Sequence, residues 1–266
     1  MPITTAARPL APYLGGKRNL AKRLCALIDA TPHRTYVEPF IGMGGVFLRR
    51  PRPAPAEVIN DISRDVTNLF RIVRRHYEPL VAELELLLAS RDEFERQRRV
   101  DPDTLTDIER AARFLYLQRL AFGGKVMGRS YGVDRNTGSR FNYAKLRADI
   151  RLLGERLARV TIERLPYAEL IRRYDAPETL FYLDPPYWGC EDDYGNDVFS
   201  RDDFAQLADQ LAGIRGKFIL SINATPGSRE VFGRFNAVDV DVSWSIATKS
   251  AGTAKKVTEL IVRNRG

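Results

Sequence analysis

Apolar and polar positions along this chain follow two rhythms. Short apolar runs stop abruptly on an acid or a proline, and between them apolar residues recur every three or four positions. TYVEPF (35–40), AEVINDI (56–62), VTIERL (160–165), TLFYLD (179–184) and KFILSIN (217–223) read as strands. SRDVTNLFRIVRRHY (63–77) carries Val66, Leu69, Phe70 and Val73 at helical spacing with Ser63 as its N-cap, and SRDDFAQLADQLAGI (200–214) reads as a helix capped by Ser200. AVDVDVSW (237–244) and KKVTELIVRN (255–264) follow with no long helix between them, which predicts an antiparallel pair. Strands alternating with helices predict an α/β fold, a doubly wound and mostly parallel sheet of seven strands. Between residues 78 and 158 the alternation gives way to helical stretches and then to a glycine-rich one, GGKVMGRSYGVDRNTGSRFNYAKL. That segment reads as an inserted, mainly helical domain between catalytic portions at 1–77 and 159–266, with a loop or hairpin around 124–143.

A doubly wound sheet binds ligands beyond the carboxyl ends of its strands. Asp61 and Asp184 both close predicted strands there. EPFIGMGGVFL (38–48) follows a strand and opens a helix, and Gly42 and Gly44 allow a tight turn and a close backbone approach to a ligand. Phe47 stands where a dinucleotide fingerprint needs its third glycine. Asp61, about twenty residues on, is placed to hold ribose hydroxyls; the same acid could instead cap a helix or sit on the surface. YLGGKRNL (13–20) lacks the Ser or Thr that a triphosphate-binding loop needs after its lysine, because Arg18 follows Lys17.

FYLDPPYWGC (181–190) carries the most chemistry. Two prolines end the strand rigidly after Asp184. The tetrapeptide Asp184, Pro185, Pro186, Tyr187 offers a carboxylate, a proline carbonyl and an aromatic face. An exocyclic nucleobase amine is a poor nucleophile, because its lone pair is delocalised into the ring. Two acceptors can hold its two hydrogens and direct the lone pair at an electrophile, while Tyr187 stacks on a base taken out of a duplex.

Composition narrows the partners. A net charge of +8 and an isoelectric point near 9.6 favour a polyanion, although basic proteins are of many kinds. Two cysteines and two histidines, in no ligand spacing, leave a zinc site without ligands, and no metal is expected. The cysteines are expected as reduced thiols, and no signal peptide or membrane-spanning run is read.

Taken in order, YLGGKRNL, EPFIGMGGVFL, NDISRDVTNLFRIV and FYLDPPYW resemble the Dam-like, D12-class family of N6-adenine DNA methyltransferases, which use S-adenosylmethionine. The resemblance covers about 10–77 and 160–264, and more loosely FGGKVMGRSYG and GSRFNYAKL in the insertion, where the family places target recognition. It implies that Tyr13, Gly15, Gly16 and Lys17 line the cofactor's methionine end. Glu38, Pro39, Gly42 and Gly44 shape the turn beneath it; Asp61 holds the ribose and Ile62 flanks the adenine. Where the family often has an acid reading the cofactor adenine, this chain has Pro166 and Tyr167, so a backbone contact is expected there. Asp184 and the Pro185 carbonyl then grip the target amine. Lys125, Arg129, Arg135, Arg140, Asn142 and Lys145 are the candidate contacts to double-stranded DNA, each alternatively a solvated surface group. Trp188 and the acidic loop CEDDYGND (190–197), a cover for the base or a solvated turn, are not general family features. Further implications are a cytoplasmic protein, monomeric in solution or dimeric on DNA, with a cognate restriction endonuclease in some settings. Cytosine N4, RNA or protein glutamine as the methyl acceptor, or an inactive DNA-binding relative, are the alternatives.

Overall fold

The computed structural model describes residues 7–132, 136, 138–191, 199–244 and 255–264. Seven strands form one sheet: β1 Thr35–Glu38, β2 Ala56–Asn60, β3 Val160–Glu163, β4 Thr179–Leu183, β5 Lys217–Asn223, β6 Asn236–Trp244 and β7 Lys255–Arg263. Their spatial order is β3-β2-β1-β4-β5-β7-β6. The first five run parallel, and β7 is antiparallel to both β5 and β6, as the sequence predicted for the last two. The order reverses between β1 and β4, and a crevice opens beyond their carboxyl ends at such a switch point.

Burial on both faces explains the unbroken apolar runs. Successive strand residues point to opposite sides. Tyr36, Leu180, Tyr182 and Ile219 enter one core, whereas Val37, Phe181, Leu183, Phe218 and Leu220 enter the other. On the first face lie α1 Ala21–Ala30, α2 Arg64–Arg75, α3 Tyr77–Glu85, α4 Arg91–Arg99, α5 Asp107–Leu120 and α6 Tyr143–Arg156; α7 Tyr167–Tyr174, α8 Arg201–Ala212 and α9 Pro226–Phe232 cover the second.

The apolar stripe of α2 is buried as its spacing predicted, but the Ser63 side chain makes no capping bond. Its backbone N–H is taken instead by Asp61 Oδ1 at 2.9 Å. At α8 the capping pair is Ser200 and Asp203, with Asp203 Oδ2 accepting the Ser200 N–H at 2.7 Å. The glycine turn after β1 opens only a 3-10 turn, Phe47–Arg49, rather than a full helix.

The helices of the 78–158 segment share one core with α2 and β1. Helix α5 is buried on nearly every side and is fastened to α2 by Arg110 on Asp65 at 2.6 Å and by Asn68 on the Asp107 carbonyl at 2.7 Å. Glu57 of β2, itself buried, binds Arg50 at 2.7 Å and Arg156 of α6 at 2.6 Å. Among the described residues of 124–143 there is no hairpin ladder. A 3-10 turn, Phe122–Gly124, and a single antiparallel bridge from Ala121 to Tyr131 stand in its place. No helix among the described residues is long and apolar enough to cross a membrane.

Candidate active site

A cleft of about 990 Å³ opens at the switch point and is lined by the 8–18 segment, the glycine turn, the ends of β2, β3 and β4, and the start of α6. Backbone geometry at the turn is demanding. Gly42 has φ +47° and a Cβ there would meet the Tyr13 ring at 2.9 Å; Gly44 has φ +74°. Gly42 lines the cleft, and Gly44 shapes the turn without lining it. Asn60, buried at the end of β2, ties three strand ends together. Its amide nitrogen donates to the Pro39 and Leu165 carbonyls at 2.9 and 3.1 Å, and its oxygen accepts the Leu165 N–H at 2.8 Å.

Asp61 projects from the next position. Its Oδ2 accepts the Gly42 N–H at 3.0 Å and its Oδ1 that of Ser63, so the acid braces the glycine turn as well as facing the cleft. Burial pushes its carboxyl up to about 6, against those two hydrogen bonds. Ile62, 37% exposed, presents apolar surface beside it. Further along, Pro166 and Tyr167 line the cleft with Phe40 and Phe199, whose rings sit 5.7 Å from that of Tyr167. Asp203 of α8 adds a carboxylate at this end, held by the Tyr167 hydroxyl at 2.9 Å. The sequence placed no acid at this end of the cleft; the S-x-x-D capping spacing of α8 was the only signal of Asp203.

At the other end, Asp184 and Pro186 line the cleft, while Pro185 is buried and Tyr187 is not among the lining residues. Lys17, expected at the cofactor's methionine end, lines the cleft but is 3% exposed and turns its ammonium inward. Its Nζ lies 2.7 Å from Asp184 Oδ1, donates to the Tyr187 hydroxyl at 2.9 Å and stands 4.3 Å from that ring's centroid. The Tyr187 hydroxyl donates to Glu259 of β7 at 2.7 Å. Burial drives the Asp184 carboxyl up to about 6, with Lys17 pulling it back, and raises the Tyr187 phenol well above its usual range. Glu38, 2% exposed and bonded by the Tyr36 hydroxyl at 2.7 Å, is pushed by burial up to about 8.

The strands beside β4 hold the tetrapeptide. Asn223 of β5 bonds Trp188 twice, accepting its N–H at 2.8 Å and donating to its carbonyl at 3.0 Å. The Trp188 ring stacks near Phe204 at 4.9 Å and lies directly over Gly227, where a Cβ would come within 2.1 Å of it. Arg201 sits 4.2 Å from the same ring and pairs with Glu191 at 2.9 Å. The acidic loop from residue 192 lies outside the described residues, as does Arg135.

Of the expected DNA contacts, Arg140, Asn142 and Lys145 line the outer cleft, joined by Arg8 and Arg119. Asn142 is the N-cap of α6, its side chain accepting the Lys145 N–H at 3.0 Å, so that oxygen is already engaged locally. Arg129 is turned onto Gln118 at 3.2 Å and over the Phe114 ring and does not line the cleft. Lys125 is exposed but does not line the cleft.

Residues 13–246 match the family model described as D12 class N6 adenine-specific DNA methyltransferase. The type II methyltransferase M1.LlaDCHI of Lactococcus lactis subsp. cremoris is 27% identical over 97% of this chain and 96% of its own. The retron Ec67 DNA adenine methylase of Escherichia coli is 27% identical over 94% and 88%. A DNA adenine methylase of Salmonella typhi is 28% identical over 92% and 88%. Among solved structures, a putative RNA methyltransferase from Pyrococcus horikoshii covers 92% of this chain and 82% of its own at a TM-score of 0.42 and 9% identity, too distant to bear on the chemistry.

Proposed function

The chain belongs to the D12 class N6 adenine-specific DNA methyltransferase family, and on that premise we propose that it methylates the N6 amine of an adenine drawn out of double-stranded DNA. The observation that carries this reading is the shared cleft: Asp184 stands at the end of β4, across the switch point from the Gly42 turn and Asp61, in one continuous space of about 990 Å³.

That space suits S-adenosylmethionine. Asp61 supplies an ionisable acceptor for ribose hydroxyls, Ile62 and the Phe40, Tyr167 and Phe199 group supply an apolar slot for a purine, and the bare backbone at Gly42 permits close approach. Tyr13, Gly15 and Gly16 wall the methionine end. When bound, the cofactor supplies an electrophilic methyl group on a sulfonium.

The chain's own groups do the rest. Asp184 accepts one hydrogen of the target amine, and the Pro185 carbonyl accepts the other, which turns the nitrogen lone pair outward. Only the ionised carboxylate does this well, and a value near 6 keeps it ionised at neutral pH. Tyr187 stacks on the extruded base; Glu259 and Lys17, bonded to its hydroxyl, fix the ring's orientation. Arg140 and Lys145, with the remainder of 78–158, approach the DNA backbone as the target-recognition part.

Sequencing that reports base modification, run on DNA from cells expressing the protein, gives product and sequence context together, and nucleoside mass spectrometry identifies the methylated base. N6-methyladenine is expected; N4-methylcytosine as sole product overturns the adenine assignment. Asp184→Ala is expected to abolish methylation while cofactor affinity stays within about tenfold. Full activity in that variant overturns the role given to Asp184.

A further inference from the structure

Behind the proposed catalytic carboxylate lies a second buried acid, bonded to the Tyr187 hydroxyl. Glu259 is 1% exposed on β7, in register with Asn223 of β5. A charge withdrawn so completely from water is costly unless paired. Its Oε1 accepts the Tyr187 hydroxyl, but its Oε2 accepts no hydrogen bond among the described residues and lies 3.7 Å from Lys17 Nζ. With Lys17 and Asn19 it also lines a cavity of about 20 Å³, room for one water. One ammonium thus serves two carboxylates, at 2.7 Å from Asp184 and 3.7 Å from Glu259.

We propose that Glu259 is a positioning residue for methyl transfer, which shares Lys17 with Asp184 and anchors Tyr187, so that Asp184 stays basic enough to hold the target amine. The inference rests on the proposed function and adds a residue to it. Its logic is a charge count. Lys17 paired with Asp184 alone would be a neutral, tightly closed ion pair, whose carboxylate is a weak acceptor. A second carboxylate leaves the trio at −1 and returns acceptor strength to Asp184. The tie to Tyr187 couples that adjustment to the ring on which the base stacks. Among the described residues, the groups that act on Asp184 are Lys17 from the 13–20 segment, Glu38 from β1, Ser221 from β5 at 3.4 Å, Tyr182 of the strand before it, Tyr187 just after it, and Glu259 from β7. Only Lys17 among them is cationic.

The sign follows. Activity needs ionised Asp184 and falls as pH drops through its titration. Glu259, being negative, raises that midpoint, so its neutralisation lowers it.

Single-turnover methylation of duplex DNA carrying the enzyme's own site, at saturating cofactor from pH 5 to 9, reads the acid limb. Glu259→Gln is expected to move the limb down by about one pH unit and to lower the plateau rate about tenfold, with the KM for cofactor within about threefold. Glu259→Asp, which keeps the charge, is expected to return the limb to within about 0.3 unit of wild type. A Glu259→Gln limb at the wild-type position, whatever the plateau, overturns the inference, because a merely structural carboxyl lowers the rate equally at every pH. Should that variant fail to fold, Tyr187→Phe serves. It keeps the ring but frees Glu259 to draw Lys17 from Asp184, so the limb rises; an unmoved or lowered limb overturns the inference. A wild-type protein that yields no N6-methyladenine at any pH sinks the function itself, whereas an active wild type with unshifted variants sinks only the role of Glu259.

Discussion

Replacing Asp61 by asparagine removes a charge with almost no change of shape. The carboxylate receives two backbone donors, Gly42 on Oδ2 at 3.0 Å and Ser63 on Oδ1 at 2.9 Å. Asparagine has one acceptor oxygen, so one of these N–H groups faces another donor. An unsatisfied donor of this kind costs about 1–3 kcal/mol. Most of that cost falls on the folded protein, and part on the shape of the Gly42 turn. The bound cofactor loses, in addition, a charge-assisted bond to its ribose hydroxyls, about 1.5–3 kcal/mol. At about 1.4 kcal/mol per factor of ten, the Kd for cofactor rises roughly 10- to 150-fold. Isothermal calorimetry with S-adenosylhomocysteine measures this without turnover. A second signature separates charge from shape. With the Asp61 carboxyl at about 6, wild-type affinity weakens as pH falls from 7.5 to 5, and that of Asp61→Asn stays flat. Affinity within twofold of wild type at pH 7.5, or the same pH dependence in both proteins, refutes the ribose-binding role.

Three other expectations follow from single contacts. Gly227→Ala drives a methyl group into the Trp188 ring and is expected to lower stability by about 1–3 kcal/mol, measured by thermal melting; in a Trp188→Ala background the same change costs little, and an equal cost in both backgrounds contradicts the packing described. Glu38, Asp61 and Asp184 all titrate above their ordinary values, so each contributes stability that is complete below its unfolded pKa and lost as pH rises through about 8, 6 and 6. Glu38→Gln keeps the Tyr36 hydrogen bond and is expected to raise the melting temperature at pH 8.5 and to flatten its pH dependence, and calorimetry that shows an unchanged slope argues against a buried charge there. Arg140→Ala and Lys145→Ala are each expected to weaken DNA binding by a similar factor on every sequence and to reduce the salt slope by about one; sequence-selective loss at constant slope contradicts a phosphate contact.

The framework of the site was legible because it follows from local rules. An apolar run that stops on an acid marks a buried strand reaching water, which located Asp61 and Asp184. Two glycines after such a run marked the turn at 42–44, and a sequence with no long helical run before β7 marked its reversed direction. What stayed hidden is held by long-range pairing. Lys17 meets Tyr187 across 170 positions, and Tyr187 meets Glu259 across 72. Periodicity tells which face of an element is buried, but it does not tell which distant side chain arrives there. Arg129 is a parallel case: periodicity does not tell that a basic residue in a glycine-rich stretch meets Gln118 and Phe114.

The same long-range pairing argues that the two ends of the cleft form one mechanical unit. Helix α6 begins at the outer cleft, where Asn142 caps it and Lys145 lines the wall, and ends at Arg156, locked by two short bonds onto Glu57. Glu57 lies on β2, four residues before Asp61, and its other guanidinium partner, Arg50, directly follows the turn that closes the glycine segment. Removing one partner of such a buried group costs about 3–5 kcal/mol, so it resists opening. Helix α6, the strand that leads to Asp61 and the turn that Asp61 braces are therefore joined through one buried carboxylate. Through α2, α5 and Glu57, the segment from 78 to 158 is part of the scaffold that sets the geometry of the cleft.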